Sequence, residues 1–180
     1  DSITSDGLKT FIEKDLGGKH CRFKRGYKNV INEAQRLNAS GIPAPLAIET
    51  SGHAALQENY FLDDGAYLVT RIIVTAAKLR REGRDLDSLI ASLAEPAESV
   101  EVRFAITEPD FRACGQGILE RLEALAARQG WAVADDSREG VRIIFGPADG
   151  DGWLLLRLSV HDPVMPLNIE SDRRGGCRQI

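Results

Sequence analysis

The 180-residue sequence has little of what several classes of protein require. Its formal net charge is −4, so no excess of positive charge is present to hold nucleic acid or an anionic membrane surface. No apolar run approaches the ~18 residues of a membrane span, and no signal-peptide pattern opens the sequence. The three cysteines are odd in number and share no close spacing, which favours reduced thiols in the cytoplasm over a disulfide framework.

Metal-binding patterns are also scarce. The cysteines and the three histidines do not show the spacing of zinc ligands. The segment Asp149-Gly150-Asp151-Gly152 offers two carboxylates, whereas a hard cation such as Mg²⁺ needs about three clustered oxygen ligands. Because this segment joins two alternating stretches, we interpret it as a turn between strands.

The two ends of the sequence indicate a piece of a longer protein. The sequence begins at Asp1 without a methionine and without an apolar strand before the first predicted helix. It ends at Ile180, just after Gly175-Gly176, where a new amphipathic segment begins. The content of 43% apolar and 28% charged residues is typical of a soluble globular protein large enough for one or two domains.

The first half of the sequence alternates helical and strand patterns, which predicts a layered α/β domain with a mostly parallel sheet. We expect short strands at 21–23 and 46–48. Helices are predicted after a cap at Thr4 or Ser5, around 28–37, from Gly65 onward and over 86–93. The long helix from Gly65 is expected to turn five apolar residues inward and to be capped by either of two acidic residues, for which a role as ligands is the alternative. These are Val69, Ile72, Ile73, Ala76 and Leu79, with Asp63 and Asp64 as the caps.

The pattern changes after Ala94-Glu95-Pro96-Ala97, which we predict to be the joint between a domain at 1–94 and one at 97–180. Three apolar residues then alternate with charged ones, as in a half-buried strand: Val100, Val102 and Phe104. A helix is predicted at about 110–129, although Gly115 and Gly117 weaken its first half by roughly 1 kcal/mol each. Further strands are predicted at 131–133, 141–145, 153–159 and 167–171. This order predicts a smaller α+β domain with an antiparallel sheet.

One polar segment, Glu49-Thr50-Ser51-Gly52-His53, follows the short apolar run 46–48. In α/β proteins ligands bind outside the carboxyl ends of strands. Glu49 and Ser51 alternate, so both side chains should leave the strand end on one side and offer an acceptor and a hydroxyl to a sugar. Gly52 lets the backbone approach a ligand, and His53 can carry a proton near neutral pH. Alternatively, this is a surface loop in which Glu49 and Ser51 cap neighbouring backbone groups.

Two further segments could bind anions. Lys24-Arg25-Gly26-Tyr27-Lys28 places three cations at a helix start, where backbone N–H groups and the helix dipole attract negative charge. The alternative is a solvated basic turn. Arg157 and Ser159 lie at the end of the predicted strand 153–159, where the guanidinium could hold a phosphate through two parallel hydrogen bonds and the hydroxyl could add a third. The alternative for Arg157 is a buried pair with a carboxylate.

The motif Glu-x-Ser-Gly-His at 49–53, with Asn59-Tyr60-Phe61-Leu62-Asp63-Asp64-Gly65-Ala66 behind it, resembles the sugar-binding loop of the phosphoglucomutase/phosphomannomutase family, the α-D-phosphohexomutases. The resemblance implies that residues 1–94 correspond to the third of four domains, without its first strand. It also implies that residues 97–180 correspond to the fourth domain, which has a TBP-like fold.

The resemblance implies a set of substrate-binding residues, with His53 as a candidate catalytic proton carrier or phosphate contact. In the fourth domain, residues 157–163 match a phosphate-binding loop in which His161 replaces the usual threonine and Asp162 the residue after it. An aspartate there repels phosphate unless it points away. The implied substrate-binding residues are Lys24, Glu49, Ser51, Gly52, His53, Arg157, Ser159 and His161.

The family interconverts hexose 1-phosphate and hexose 6-phosphate through a bisphosphosugar, using a phosphoserine in the first domain and Mg²⁺ in the second. The resemblance therefore implies a hexose phosphate and the missing N-terminal domains as partners. It implies no cofactor in the fragment itself, with Mg²⁺ held elsewhere in the parent enzyme. The fragment should be inactive alone. Alternatives are a free-standing phosphosugar-binding module, a phosphoglucosamine mutase fragment, or a scaffold that has kept only the fold.

Overall fold

The computed structural model describes all 180 residues and divides them into two compact units, Asp1–Ala94 and Glu95–Ile180. Each unit has its own hydrophobic core.

Unit 1 contains three helices. They are α1 (Asp6–Thr10, continued by one wider π-helical turn at Phe11–Asp15), α2 (Tyr27–Ala39) and α3 (Gly65–Arg81). The Ser5 hydroxyl caps α1 by accepting the N–H of Leu8 at 3.2 Å. The Asp64 carboxylate caps α3 by accepting the N–H of Tyr67 at 3.0 Å. These two caps confirm the sequence prediction, because each satisfies a backbone donor that the helix itself leaves unpaired.

The strands of unit 1 form a hairpin. Strand β1 (Leu46–Ile48) pairs antiparallel with β2 (Ala54–Leu56), with Ala47 opposite Ala55. The predicted mostly parallel sheet is therefore wrong for these residues, although the α/β class holds. The connection over residues 49–53 is too short for a parallel crossover, which needs about a dozen residues or more.

Two smaller predictions in unit 1 are also wrong. Residues 21–23 belong to no sheet, and the buried guanidinium of Arg22 anchors this segment to the carbonyl groups of Ser2 and Thr4. The predicted helix over 86–93 is a single 3₁₀ turn at Asp87–Leu89. Its apolar side chains stay largely exposed, so little burial stabilises a helix of this length.

The core of unit 1 lies where α2 packs on the hairpin, and it is built from small and β-branched side chains. Its buried members are Val30, Ala34, Ala47 and Ala55, with Phe23, Ile31, Ala44 and Phe61 packed around them. Helix α3 contributes less than its pattern predicts. Leu79 is buried, but the predicted inward residues Val69, Ile72 and Ile73 are 54%, 44% and 62% exposed. Helical periodicity identifies an apolar face without identifying what covers it.

Unit 2 is a five-stranded antiparallel sheet in the order β3-β7-β6-β5-β4, as the predicted α+β layout requires. The strands are β3 (Glu98–Ala105), β4 (Ala132–Val133), β5 (Val141–Phe145), β6 (Gly152–Leu156) and β7 (Val164–Ser171). Helix α4 (Phe111–Gln129) packs on β4 and β5, and the short helix α5 (Gly176–Gln179) packs on β7 and β3.

The core of unit 2 lies between α4 and the sheet. Its buried members are Ala126, Val141, Ile143, Phe145 and Leu154. Strand β3 is less buried than predicted, with Val100, Val102 and Phe104 between 40% and 51% exposed. The reason is position, because β3 forms one edge of the sheet and α4 packs near the other.

Candidate functional site

Residues 49–53 form the turn of the β1–β2 hairpin. The Gly52 N–H donates to the Glu49 carbonyl at 3.0 Å, and the Glu49 N–H donates to the His53 carbonyl at 2.9 Å. Gly52 has φ +92°, a conformation that glycine adopts without steric cost. Because β1 ends at Ile48, strand alternation does not apply to Glu49 and Ser51. Glu49 is buried at 8% exposed, whereas Ser51 is exposed.

The Glu49 carboxylate fixes this turn to the start of α2. Its Oε1 accepts the backbone N–H of Gly26 at 2.6 Å, a charge-assisted hydrogen bond between positions 23 residues apart. This is the backbone capping that the sequence allows as an alternative. The other oxygen, Oε2, makes no hydrogen bond within the protein. Glu49 therefore combines an anchored oxygen with one that can accept from a ligand hydroxyl.

A second carboxylate holds the middle of the turn. Oδ2 of the buried Asp1 accepts the backbone N–H of Thr50 at 3.3 Å and the Thr50 hydroxyl at 3.1 Å. The guanidinium of Arg25 lies 3.7 Å from the same oxygen. Sequence reasoning missed this contact, because nothing in the pattern connects residues 49 positions apart. The turn is thus held at Glu49 and Thr50, while Ser51 and Gly52 remain exposed.

His53 has two neighbours that the sequence did not predict. Its Nδ1 lies 2.8 Å from Oδ2 of Asp63, and its ring stacks on Tyr27 with the centroids 5.3 Å apart and an interplanar angle of 24°. Asp63, considered as a cap, thus contacts His53 instead. Asp64 is the cap, and the Tyr67 N–H, followed by the Asn59 amide, holds the pKa of its carboxyl below the usual range. The sequence feature that could have identified Asp63 is its position in the motif 59–66, which follows the turn.

The basic segment at the start of α2 contacts the turn through other groups than expected. Lys24 is exposed and makes no hydrogen bond or ion pair in the structure. The link to the turn runs through the Gly26 N–H and the Tyr27 ring, and the Lys28 ammonium lies 5.9 Å from the centroid of that ring. The segment therefore supports the turn through Gly26 and Tyr27, while Lys24 and Lys28 are exposed to solvent.

In unit 2 the predicted strand 153–159 is shorter than expected and ends at Leu156, so Arg157 and Ser159 lie in the loop between β6 and β7. The Ser159 N–H donates to the Val164 carbonyl at 3.0 Å, which continues the pairing of the two strands. The Ser159 hydroxyl accepts the N–H of Asp162 at 3.2 Å. Because a hydroxyl can accept and donate together, its own proton remains free for a ligand.

The N-terminal end of α4 holds this loop. Arg112 donates to the Val160 carbonyl at 3.1 Å, and its guanidinium lies 4.6 Å from the centroid of the Phe111 ring. A Cβ at Gly115 would lie 2.5 Å from Cδ1 of Leu158, so the glycine allows the loop to pack closely on the helix. Gly115 lowers the helix propensity of α4, but the close packing of Leu158 explains why a residue without a side chain stands there.

Arg157 is half-buried and lies close enough to Glu101 for its positive charge to lower the pKa of that carboxyl. The pKa of Glu101 lies below its usual range, first because Arg103 donates a hydrogen bond to it and next because Asn168 does, with a smaller contribution from the charge of Arg157. His161 and Asp162 are both exposed. The loop thus exposes a histidine and an acid side by side.

The side chains of this chain do not form a metal-binding site. No group of three or more histidine, cysteine or acidic side chains is placed to hold a metal ion. Asp149 and Asp151 lie in the β5–β6 turn, where Gly150 has φ +112° and its carbonyl accepts the hydroxyl of Ser171 at 2.6 Å. This turn offers only two carboxylates, and the Gly150 carbonyl between them already accepts a hydrogen bond. It therefore does not fit Mg²⁺.

None of the helices is both long and apolar enough to cross a membrane.

Three solved structures share this architecture. A phosphoglucomutase/phosphomannomutase family protein from Burkholderia thailandensis matches 100% of this chain with a TM-score of 0.75 and 24% identity. The N-acetylphosphoglucosamine mutase of Aspergillus fumigatus matches 98% with a TM-score of 0.55 and 13% identity. A serine-to-alanine variant of that enzyme, in complex with glucose 1,6-bisphosphate, matches 97% with a TM-score of 0.55 and 14% identity. At these identities the likeness establishes the fold.

The chain spans only about a third of these proteins: 34% of the Burkholderia chain and 35% of each Aspergillus chain. No curated protein matches the sequence. Residues 1–97 match the family model described as phosphoglucomutase/phosphomannomutase, alpha/beta/alpha domain III. That match covers more than half of the sequence and includes the whole hairpin turn. The chain therefore belongs to the phosphoglucomutase/phosphomannomutase family.

Proposed function

We propose that this chain is the substrate-binding part of a phosphohexomutase that interconverts hexose 1-phosphate and hexose 6-phosphate through a bisphosphosugar. Unit 1 would serve as the third domain of such an enzyme and unit 2 as the fourth. Family membership supports the reaction class. The complex of the Aspergillus variant with glucose 1,6-bisphosphate supports a bisphosphosugar as the ligand.

The sugar would bind at the hairpin turn of unit 1. One observation carries this proposal: Oε1 of Glu49 is fixed by the Gly26 N–H at 2.6 Å, while Ser51, Gly52 and His53 stay exposed beside it. The free Oε2 would accept from a sugar hydroxyl, the Ser51 hydroxyl would donate or accept, and the absence of a side chain at Gly52 would admit the ring. A turn held rigidly at two points loses little entropy on binding.

The phosphate would bind at the 157–163 loop of unit 2. Arg157 would supply a planar guanidinium, and Ser159 its hydroxyl proton. His161 would add a donor from the exposed side of the loop. In unit 1, Lys24 would supply a mobile positive charge near the sugar, consistent with its exposure.

Phosphoryl transfer depends on positioning and on charge neutralisation, which Mg²⁺ and a phosphoryl donor supply in such enzymes. No group of three or more histidine, cysteine or acidic side chains in this chain is placed to hold the metal. Following the domain layout of the family, we place the phosphoserine and the Mg²⁺ site of the parent cytoplasmic enzyme in other domains. The 180 residues alone should bind the sugar phosphate and should not turn it over.

Calorimetric titration with glucose 1-phosphate tests this proposal. Charge-assisted hydrogen bonds contribute about 1.5–3 kcal/mol each, and association costs at least roughly 4 kcal/mol, so a partial site should bind no better than about millimolar. Ser51→Ala and Arg157→Ala should each weaken binding, whereas the matched controls Ser99→Ala and Arg121→Ala on exposed surface should not. Micromolar affinity would favour a free-standing module. Turnover by the purified chain, or equal binding by all four variants, would contradict the proposal.

A further inference from the structure

We propose that Asp63 and Tyr27 are positioning residues that fix both the tautomer and the ring plane of His53, so that Nε2 is the nitrogen presented to a ligand. Neither residue is among the substrate-binding residues proposed above. Both contact the imidazole directly: Asp63 through Nδ1 at 2.8 Å and Tyr27 through a stacked ring at 5.3 Å.

Asp63 determines which nitrogen carries the proton. An ionised carboxylate can only accept hydrogen bonds, so a neutral His53 ring must hold its proton on Nδ1 to make this contact. Nε2 then carries the lone pair. When the ring is protonated, Nδ1 still donates to Asp63 and Nε2 becomes a donor. In both states Nε2 is the nitrogen that can interact with a ligand, and it makes no hydrogen bond within the protein.

Asp63 is itself well anchored. Its backbone forms an isolated antiparallel bridge with Ala55 in strand β2, and the next residue, Asp64, caps α3. The carboxylate is only 25% exposed at the side chain, against 51% for His53. An anchored and partly buried acceptor loses less conformational freedom in holding the imidazole than a surface side chain would. The geometry is therefore that of a support for His53.

Tyr27 fixes the plane of the imidazole from the other element. It is the first residue of α2, directly after Gly26, whose N–H is bonded to Glu49. The interplanar angle of 24° and the separation of 5.3 Å are those of an offset stacked pair. The same hydrogen bond that fixes Glu49 thus also places Tyr27 under His53. The acid and the histidine of the turn are positioned together.

The consequence for a phosphosugar rests on the proposed function. A ligand seated on Ser51 and Gly52 would meet Nε2 of His53, which accepts from a hydroxyl when neutral and donates to a phosphate oxygen when protonated. The orientation of His53 itself can be tested without any ligand, so the two ideas can fail separately.

Long-range ¹H–¹⁵N NMR of the imidazole in the 180-residue chain measures the tautomer directly. At about pH 9, where histidine is normally neutral, we expect the Nδ1–H form of His53 in at least roughly tenfold excess, the ratio a charge-assisted hydrogen bond supplies. Asp63→Ala should abolish that excess. Asp64→Ala is the control, because it removes the adjacent carboxylate and loosens the start of α3 without touching His53. An Nε2–H form in the unsubstituted chain, or the same loss of excess in both variants, would overturn the proposal.

The stacking is tested on the carbon-bound protons of the His53 ring. Tyr27→Phe keeps an aromatic face and should preserve their ring-current shifts, whereas Tyr27→Leu should remove them. Unchanged shifts in Tyr27→Leu would show that the stack does not hold the ring. Addition of glucose 1-phosphate then separates the two ideas. A perturbed Nε2 resonance supports both, while an unperturbed Nε2 in a ring with the expected tautomer leaves the positioning intact and contradicts the proposed function.

Discussion

Gly115 and Gly117 allow a sharp test of how the loop at 157–163 is held on α4. Both are interior residues of the same helix, both lack a positive φ, and they differ in one respect. A Cβ at Gly115 would lie 2.5 Å from Cδ1 of Leu158, whereas a Cβ at Gly117 would meet nothing within 4 Å. Substitution by alanine should therefore stabilise unit 2 at Gly117 but not at Gly115.

The expected magnitudes follow from two terms. Alanine in place of glycine stabilises a helix interior by about 0.8–1 kcal/mol, and at Gly117 nothing opposes this gain. At Gly115 the same gain is offset by overpacking against Leu158, which costs typically about 1–3 kcal/mol. Gly117→Ala should thus raise the free energy of unfolding by roughly 1 kcal/mol. Gly115→Ala should leave it unchanged or lower it by up to about 2 kcal/mol.

Tryptophan fluorescence in urea measures this quantity for unit 2 alone, because Trp131 and Trp153 are the two tryptophans of the sequence and both lie there. Leu158→Ala supplies the control, since Gly115→Ala should become stabilising in that background. Equal stabilisation by Gly115→Ala and Gly117→Ala, with Leu158 intact, would refute the reasoning. It would mean that the loop does not pack on the helix as described.

Two further predictions concern the carboxylates that hold backbone N–H groups. Glu49→Ala should destabilise unit 1 by about 1.5–3 kcal/mol and accelerate hydrogen exchange at the Gly26 amide. The control Glu58→Ala, at an exposed ion pair, should cost about 1 kcal/mol or less. Equal exchange rates at Gly26 in the two variants would contradict this prediction. The Gly175 N–H, followed by the Cys177 N–H, lowers the pKa of Glu98, so its stabilisation is present above the unfolded-state value and is lost as pH falls through the lower folded-state value. An NMR pH titration of the Gly175 amide should show this step, and Glu98→Gln should remove it; a step that survives the substitution would contradict the assignment.

The sequence predicted those elements whose local signals agree with their surroundings. Ser5 and Asp64 cap helices because a short side-chain oxygen satisfies an unpaired N–H whatever lies beyond it. The antiparallel strands of unit 2 follow from alternation along each strand. The motif at 49–53 forms a hydrogen-bonded turn in the structure, and its role in binding a sugar stays a prediction.

The sequence could not predict what depends on distant partners. Periodicity marked Val69, Ile72 and Ile73 as an apolar face, but exposure depends on what packs against that face. The sequence predicts a mostly parallel sheet, whereas β1 and β2 form an antiparallel hairpin in which the Glu49 N–H donates to the His53 carbonyl across the turn. The roles of Asp1 and Tyr27 depend on contacts across many positions, and local patterns do not register them.

Amide chemical-shift mapping with glucose 1,6-bisphosphate most directly tests whether these residues bind a phosphosugar. We expect saturable shifts concentrated in two segments, the turn at 49–53 and the loop at 157–163, with inorganic phosphate perturbing only the second. Glu49→Gln, which weakens the acceptor without removing the side chain, should reduce the response of the turn. Saturable shifts confined to other surfaces, or no shifts at ligand concentrations well above millimolar, would contradict the proposed site.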